Sequence, residues 1–275
     1  MSMNKRKTIS FIGAGNMAGA IIDGLIASGI SPDNIVASNP SQGKLSRLVE
    51  RCRIRTTLDN SEAAELGDII ILAIKPQKLP SVCEPLGFID LTDKLIVSIA
   101  AGVTVSKIQQ LLQQPLAIVR AMPNTPATVS AGATGMYANE QTSLEQKLEV
   151  EIIFKAIGIT EWLAQESMID VVTAIAGSAP AYIFQFIQAM VEQAITEGMS
   201  ADCARNLATQ AVYGAAKLAQ NKSETSLEDL RIAVTSPGGT TAAALASFAE
   251  DDFSNIIHKA VAAAAARGRE LGEQA

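Results

Sequence analysis

The sequence predicts an α/β fold: a Rossmann-type, doubly wound, mainly parallel sheet followed by an all-helical C-terminal domain. Three observations predict it. Over residues 1–164, short apolar runs rich in Ile, Val and Leu alternate with amphipathic stretches. A glycine-rich turn follows the first of those runs. From about Gln165 onward the strand-like runs stop, and long alanine-rich helical patterns take over.

The runs Thr8–Ile12, Asn34–Ala37, Asp68–Ile74, Lys94–Ile99 and Leu116–Arg120 are apolar at nearly every position. Parallel strands covered by helices on both faces read this way. The covering helices are expected between them, at Met17–Ser28, Gly43–Cys52, Ser61–Leu66, Gln77–Leu86 and Ser106–Gln113. Runs near Thr134–Ala138 and Ile159–Leu163 extend the sheet. In residues 165–275, Pro180 suits the first turn of a helix and Gly198 its end. The segment Ala181–Met199 between them is apolar around most of its circumference, with Tyr182, Phe184, Ile187, Met190 and Ile195 on different faces. Such a helix is buried inside a domain or between subunits, so the second domain is expected to form a dimer interface.

Composition narrows the function. The 275 residues carry 28 acidic against 22 basic side chains, a net charge of −6, which argues against nucleic acid as a partner. Hydrophobic residues make up 48% and charged ones 18%, enough apolar surface to exclude disorder. Cys52, Cys83 and Cys203 are scattered and odd in number, which fits free thiols in a reducing compartment. His258 is the only histidine, so a histidine-rich metal site is excluded and a Ser-His-Asp mechanism nearly so. Lys5, Arg6 and Lys7 precede an apolar stretch, but Asn16 and Asp23 interrupt it, against a signal peptide. No uninterrupted apolar run reaches the roughly 18–20 residues of a membrane span. The expectation is a cytoplasmic protein with no metal and no membrane partner.

The stretch Ile12-Gly13-Ala14-Gly15-Asn16-Met17-Ala18-Gly19 ends the first strand and opens the first helix. It matches G-x-G-x-x-G/A, with Ala18 in the third position. Gly13 allows the tight turn, and Gly15 lets the backbone approach a pyrophosphate, which the helix N–H groups then hold. Residues 1–164 are thus expected to be a dinucleotide-binding domain. After the second strand an NAD site usually carries Asp or Glu for the ribose 2′-OH. Here the sequence reads Ala37-Ser38-Asn39-Pro40-Ser41, with Lys44 and Arg47 beyond. Hydroxyls, an amide and a cation favour NADP(H), with NAD(H) still possible, unless Lys44 and Arg47 are ordinary solvated helix residues. Later strand ends should line the ligand crevice: Ala73-Ile74-Lys75-Pro76, Ala100-Ala101-Gly102 and Met122-Pro123-Asn124-Thr125-Pro126. Lys75 is either near the cofactor or a surface charge. Asn124 and Thr125 either bond a ligand or hold a turn.

In the helical half, Thr235-Ser236-Pro237-Gly238-Gly239-Thr240-Thr241-Ala242 precedes an alanine-rich helix. Bare N–H groups and hydroxyls at a helix start make a donor cup suited to a small carboxylate, or else an ordinary capped turn. Gly177-Ser178-Ala179-Pro180 is a second tight helix start whose small residues permit approach to a nicotinamide. No histidine stands near either helix start, and no lysine lies on the Ala179–Met199 helix. Alcohol dehydrogenation needs a general base, whereas a cyclic imine arrives with its nitrogen protonated.

On these motifs the chain resembles the pyrroline-5-carboxylate reductases over nearly its whole length, above all at Ser236-Pro237-Gly238-Gly239-Thr240-Thr241. The resemblance implies NAD(P)H-dependent reduction of 1-pyrroline-5-carboxylate to L-proline. It implies that Ile12, Gly13, Ala14, Gly15, Asn16 and Met17 hold the pyrophosphate, and that Asn39 and Asn60 meet the adenosine end. Ala73, Ile74, Lys75 and Pro76, with Ala100 and Ala101, are implied along the middle and nicotinamide end. The amides of Gly239, Thr240 and Thr241 are implied at the substrate carboxylate, with Thr241 and Ser236 as the hydroxyls of the reacting centre. Glu224 matches a position that in some relatives approaches substrate from the neighbouring subunit. Ala233 departs from relatives that carry an asparagine there, so that cofactor contact is absent. Interlocked dimers, in some relatives assembled as decameric rings, are implied as well. A β-hydroxyacid dehydrogenase has a similar architecture but needs a lysine on the helix starting near Ala179. A non-catalytic NADP sensor would have no use for the cup at Gly239.

Overall fold

Strands that are apolar at consecutive positions must cover both faces of a sheet, and they do in the computed structural model, which describes residues 7–273. Lys5 and Arg6 lie outside the described residues. Eight strands run in the order β3-β2-β1-β4-β5-β6-β7-β8. They are β1 (Ile9–Ile12), β2 (Ile35–Ser38), β3 (Arg55–Thr57), β4 (Ile69–Leu72), β5 (Leu95–Ser98), β6 (Ala117–Met122), β7 (Gly132–Ala138) and β8 (Gly158–Trp162). All pairs are parallel except β6 with β7. The chain is thus the expected mainly parallel, doubly wound α/β fold.

Alternation along each strand sorts side chains into two cores. Ile9, Phe11, Ile69, Ile71, Leu95 and Val97 join one cluster. It lies under α1 (Asn16–Ala27), α2 (Gln42–Cys52) and α6 (Leu144–Lys155), which contribute Ile21, Leu25, Leu45, Leu48, Ile153 and Phe154. Ile12, Ile70, Leu72, Ile96 and Ile118 join the other. There they meet α3 (Asn60–Leu66), α4 (Leu79–Leu86) and α5 (Val105–Leu112) through Ala63, Leu79, Cys83, Leu86, Ile108 and Leu112. Each such buried side chain is worth roughly 1.5–3 kcal/mol, so the sheet is held from both sides.

Two elements are additional to the sequence reading. β3 is a three-residue edge strand with Arg55 exposed, too short and polar to show a period. α6 is nearly without amphipathic bias, but a capping box fixes its start: Ser143 Oγ accepts from Gln146 N–H, and Gln146 Oε1 from Ser143 N–H. The helix expected at Gln77–Leu86 begins instead as a 3-10 turn at Pro76–Lys78, because Pro76 and Pro80 remove early N–H donors.

The helix expected to begin near Ala179 starts earlier. α7 (Met168–Val172) passes through a π turn at Thr173–Gly177 and a bend at Ser178 into α8 (Ala179–Thr196). α9 (Ala201–Asn221), α10 (Leu227–Ala233), α11 (Thr240–Glu250) and α12 (Phe253–Glu273) follow. The chain divides into two compact units. One comprises the described residues through Ser178 and those from Ala264 onward, and the other is Ala179–Ala263. α7 falls in the first compact unit because it packs on the sheet, where a Cβ on Gly135 would lie 2.6 Å from Val172 Cγ2. Also in the first unit, the end of α12 lies against the turn after β5. A Cβ on Gly272 would reach within 2.3 Å of the Gly102 carbonyl, and Gly102 itself has φ +78°.

In the second unit α8 packs beside α9, yet α8 has no buried residue. By length and composition the helix Met168–Thr196 could cross a membrane, since an 18-residue window reaches a mean hydropathy of 1.3. The expectation that no segment reaches that size holds only for uninterrupted apolar runs.

Candidate active site

In open α/β sheets ligands bind at the carboxyl edge where strand order reverses, here between β1 and β4. Register aligns Ile12 with Ser38 and with Leu72, and Leu72 with Ser98. The segments after these strands therefore emerge side by side. That brings Gly13, Asn39, Ala73 and Ala100 to one edge, as expected from the sequence.

Gly13 is required there. It has φ +106°, and a Cβ would lie 2.5 Å from the Ala73 carbonyl. Gly15 caps α1 with no side-chain hydrogen bond, and a Cβ on it would meet nothing within 4 Å. Among the described residues no acceptor takes the N–H of Gly15, Asn16, Met17 or Ala18. Asn39, buried, accepts from Ala14 N–H at 3.4 Å and donates to the Ser41 carbonyl. Asn60 joins it because Ser38 Oγ donates to Asn60 Oδ1 at 2.7 Å. Ala100 is buried, Ala73, Ile74, Pro76 and Ala101 are partly buried, and Lys75 is exposed.

A cleft of about 320 Å³ opens from this loop between α1 and α2, lined by Gly15, Asn16, Asp23, Lys44, Arg47 and Arg51. Arg51 Nε donates to Asp23 Oδ1 at 2.9 Å, and Cys52 Sγ donates to the same oxygen. The Arg51 guanidinium is raised above its ordinary value, first by its contact with Cys52 and then by the Asp23 charge, against desolvation. Lys44 and Arg47 make no ion pair among the described residues. Free N–H groups, an open glycine and two unpaired cations fit a dinucleotide bearing an extra phosphate.

The second unit carries a similar helix start. Gly239 caps α11 without a side-chain bond, and a Cβ on it would lie 2.5 Å from Ser236 Oγ. The Gly239 amide, assigned to the carboxylate from the sequence, instead donates to the Ser236 carbonyl at 3.0 Å and closes the turn. No acceptor among the described residues takes the N–H of Thr240, Thr241 or Ala242. The donor set is therefore shifted by one residue, because the Pro-Gly-Gly turn uses its own last N–H. The Ser236 hydroxyl is exposed and Thr241 is partly buried. Glu224 is exposed in the turn between α9 and α10. No group of three or more potential metal ligands occurs among the described residues.

Asn124 is hydrogen-bonded within the fold at both ends of its amide. Its Oδ1 accepts from Ala133 N–H at 2.9 Å, and its Nδ2 donates to the Ala176 carbonyl at 3.1 Å.

Residues 8–102 match the family model for NADP oxidoreductases, coenzyme F420-dependent, and residues 166–271 match that for pyrroline-5-carboxylate reductase dimerisation. A pyrroline-5-carboxylate reductase from Vibrio alginolyticus is 45% identical over 97% of this chain and 98% of its own length. Its counterpart from Pseudomonas aeruginosa is 42% identical, covering 97% of both. The solved reductase from Coxiella burnetii superposes with a TM-score of 0.92 at 42% identity, covering 97% of this chain and 99% of its own. That from Plasmodium falciparum, solved with NADP bound, gives 0.84 at 29% identity, covering 97% and 98%. By sequence over its whole length and by fold, this chain belongs to the pyrroline-5-carboxylate reductase family.

Proposed function

We propose that this protein reduces 1-pyrroline-5-carboxylate to L-proline, the last step of proline biosynthesis, with NADPH preferred over NADH. The observation that carries the reading is the bare start of α11. Three N–H groups without acceptors stand beside a free hydroxyl, in a chain alike throughout to named reductases.

The α1 start, from Gly13 to Met17, would hold the cofactor pyrophosphate, with Asn39 and Asn60 at the adenosine end. Lys44 and Arg47 would take its 2′-phosphate, and Ala73–Pro76, Ala100 and Ala101 would line the rest. When bound, the reduced nicotinamide supplies a hydride. The Thr240, Thr241 and Ala242 amides fix the substrate carboxylate at the positive end of α11, which orients its ring. The Thr241 hydroxyl accepts from the iminium N–H and donates to the lone pair that hydride addition opens on the nitrogen, with Ser236 beside it. No titrating side chain is needed there, since the imine nitrogen arrives protonated. The chain works as a homo-oligomer in the cytoplasm: dimers built on residues 165–275, with a ring of five dimers as the larger form, and Glu224 reaching the neighbouring subunit's substrate.

The test is absorbance of NADPH with and without pyrroline-5-carboxylate. Thr241→Ala is expected to lower turnover about 10- to 1000-fold, as loss of a transition-state donor does. An unchanged rate removes Thr241 from the site. Cofactor binding without proline formation favours the sensor reading instead.

A further inference from the structure

The helix that runs from Met168 to Thr196 is altered by chemistry at one place. In an α-helix the N–H of residue 180 donates to the carbonyl of residue 176, and Pro180 has no N–H. The Ala176 carbonyl loses its helical donor. The backbone widens there into the π turn Thr173–Gly177, closed by Ser178 N–H donating to the Thr173 carbonyl at 2.8 Å. Single π turns of this kind concentrate at functional sites.

Asn124 supplies the missing donor through Nδ2, 3.1 Å from the Ala176 oxygen. The side chain is only 8% exposed and is held at its other end by Ala133 N–H, so both ends are engaged within the fold. A second contact joins the same two segments. A Cβ on Gly177 would lie 3.0 Å from Met122 Cε, two residues before Asn124. The end of β6 and the loop after it thus meet the π turn at both its carbonyl and its glycine.

We propose that Asn124 is a positioning residue for the reduction. Standing in for the N–H that Pro180 lacks, it holds the Gly177–Ser178 bend in the form that the nicotinamide end of the site requires. The inference rests on the activity proposed above and adds to it a residue that acts through Ala176.

A double-mutant cycle on the full-length oligomer tests it. Asn124→Ala and Asn124→Asp both remove the donor, and Asn124→Asp keeps an acceptor for Ala133 N–H, so the loop survives. Each is expected to lower kcat about 10- to 100-fold, the scale of a small misplacement. The Kd for NADPH, read by fluorescence, should stay within about twofold. Pro180→Ala returns an N–H to the Ala176 carbonyl. The Asn124→Asp/Pro180→Ala double variant is therefore expected to turn over at least about 3-fold faster than Asn124→Asp alone. A double variant no faster than the single overturns the inference. So does a loss that follows the folded fraction by circular dichroism at constant kcat per folded enzyme. If the unsubstituted protein fails to oxidise NADPH with pyrroline-5-carboxylate, the activity itself falls. If it turns over and both Asn124 variants match it, only the positioning role is lost.

Discussion

In the sheet unit Ile9, Phe11, Ile69 and Ile71 are 0% exposed, whereas on α8 Ile183 is 43%, Phe184 67% and Ile195 44% exposed. Both regions are rich in apolar residues, but only the first closes a core within one chain. Strands with two apolar faces find two layers of helices from the same polypeptide. A helix with apolar residues all round exceeds what its few neighbours cover, and in water it is stable only against another such surface. Composition alone does not separate the two cases. What separates them is whether the chain supplies enough layers. Both units nonetheless present a glycine-capped helix start with unused N–H groups, α1 in one and α11 in the other.

Charging the uncovered helix removes the apolar surface on which α8 depends. Phe184→Glu with Met190→Glu is expected to abolish the oligomer in light scattering and to lower activity at least about 100-fold, since buried unpaired charge costs several kcal/mol. A fully active monomer would show that α8 needs no partner. Next, Gly13→Ala tests the sheet unit on its own. Its Cβ meets the Ala73 carbonyl, so a loss of about 2–4 kcal/mol in urea unfolding, with NADPH binding lost, is expected. Smaller in effect, Asn39→Asp keeps an acceptor for Ala14 N–H but adds a charge beside the proposed 2′-phosphate. It should weaken NADPH about 10- to 100-fold and NADH at most about 3-fold, by titration. Equal losses would contradict that assignment. The mildest probe is thiol labelling at pH 8. Burial pushes Cys83 up to about 12 and also raises Cys52, which donates to Asp23, so both stay protonated and unreactive. At most Cys203 should label in the native protein, and all three thiols in denaturant.

The sheet was legible because buried parallel strands leave a signal at every position. Where the signal was weak, elements were hidden. β3 is Arg-Thr-Thr on an edge, and α6 announces itself only through Ser143 and Gln146. The phosphate loop was legible because Gly13 meets a steric demand that no other residue satisfies, with φ +106° and the Ala73 carbonyl 2.5 Å from where a Cβ would stand. The helix start at α11 was legible, but no spacing rule reveals that the Gly239 N–H bonds back to the Ser236 carbonyl. The early start of the long helix escaped because Pro180 looks the same in sequence at a first turn and after a π turn.

The meeting of Gly102 with Gly272 has an evolutionary consequence. Two backbones touch there with no side chain between them, and Gly102 is further held by its positive φ. A lineage cannot enlarge residue 272 without displacing the turn that carries Ala100 and Ala101. The two positions are therefore expected to drift together or not at all, although they stand 170 positions apart in the chain.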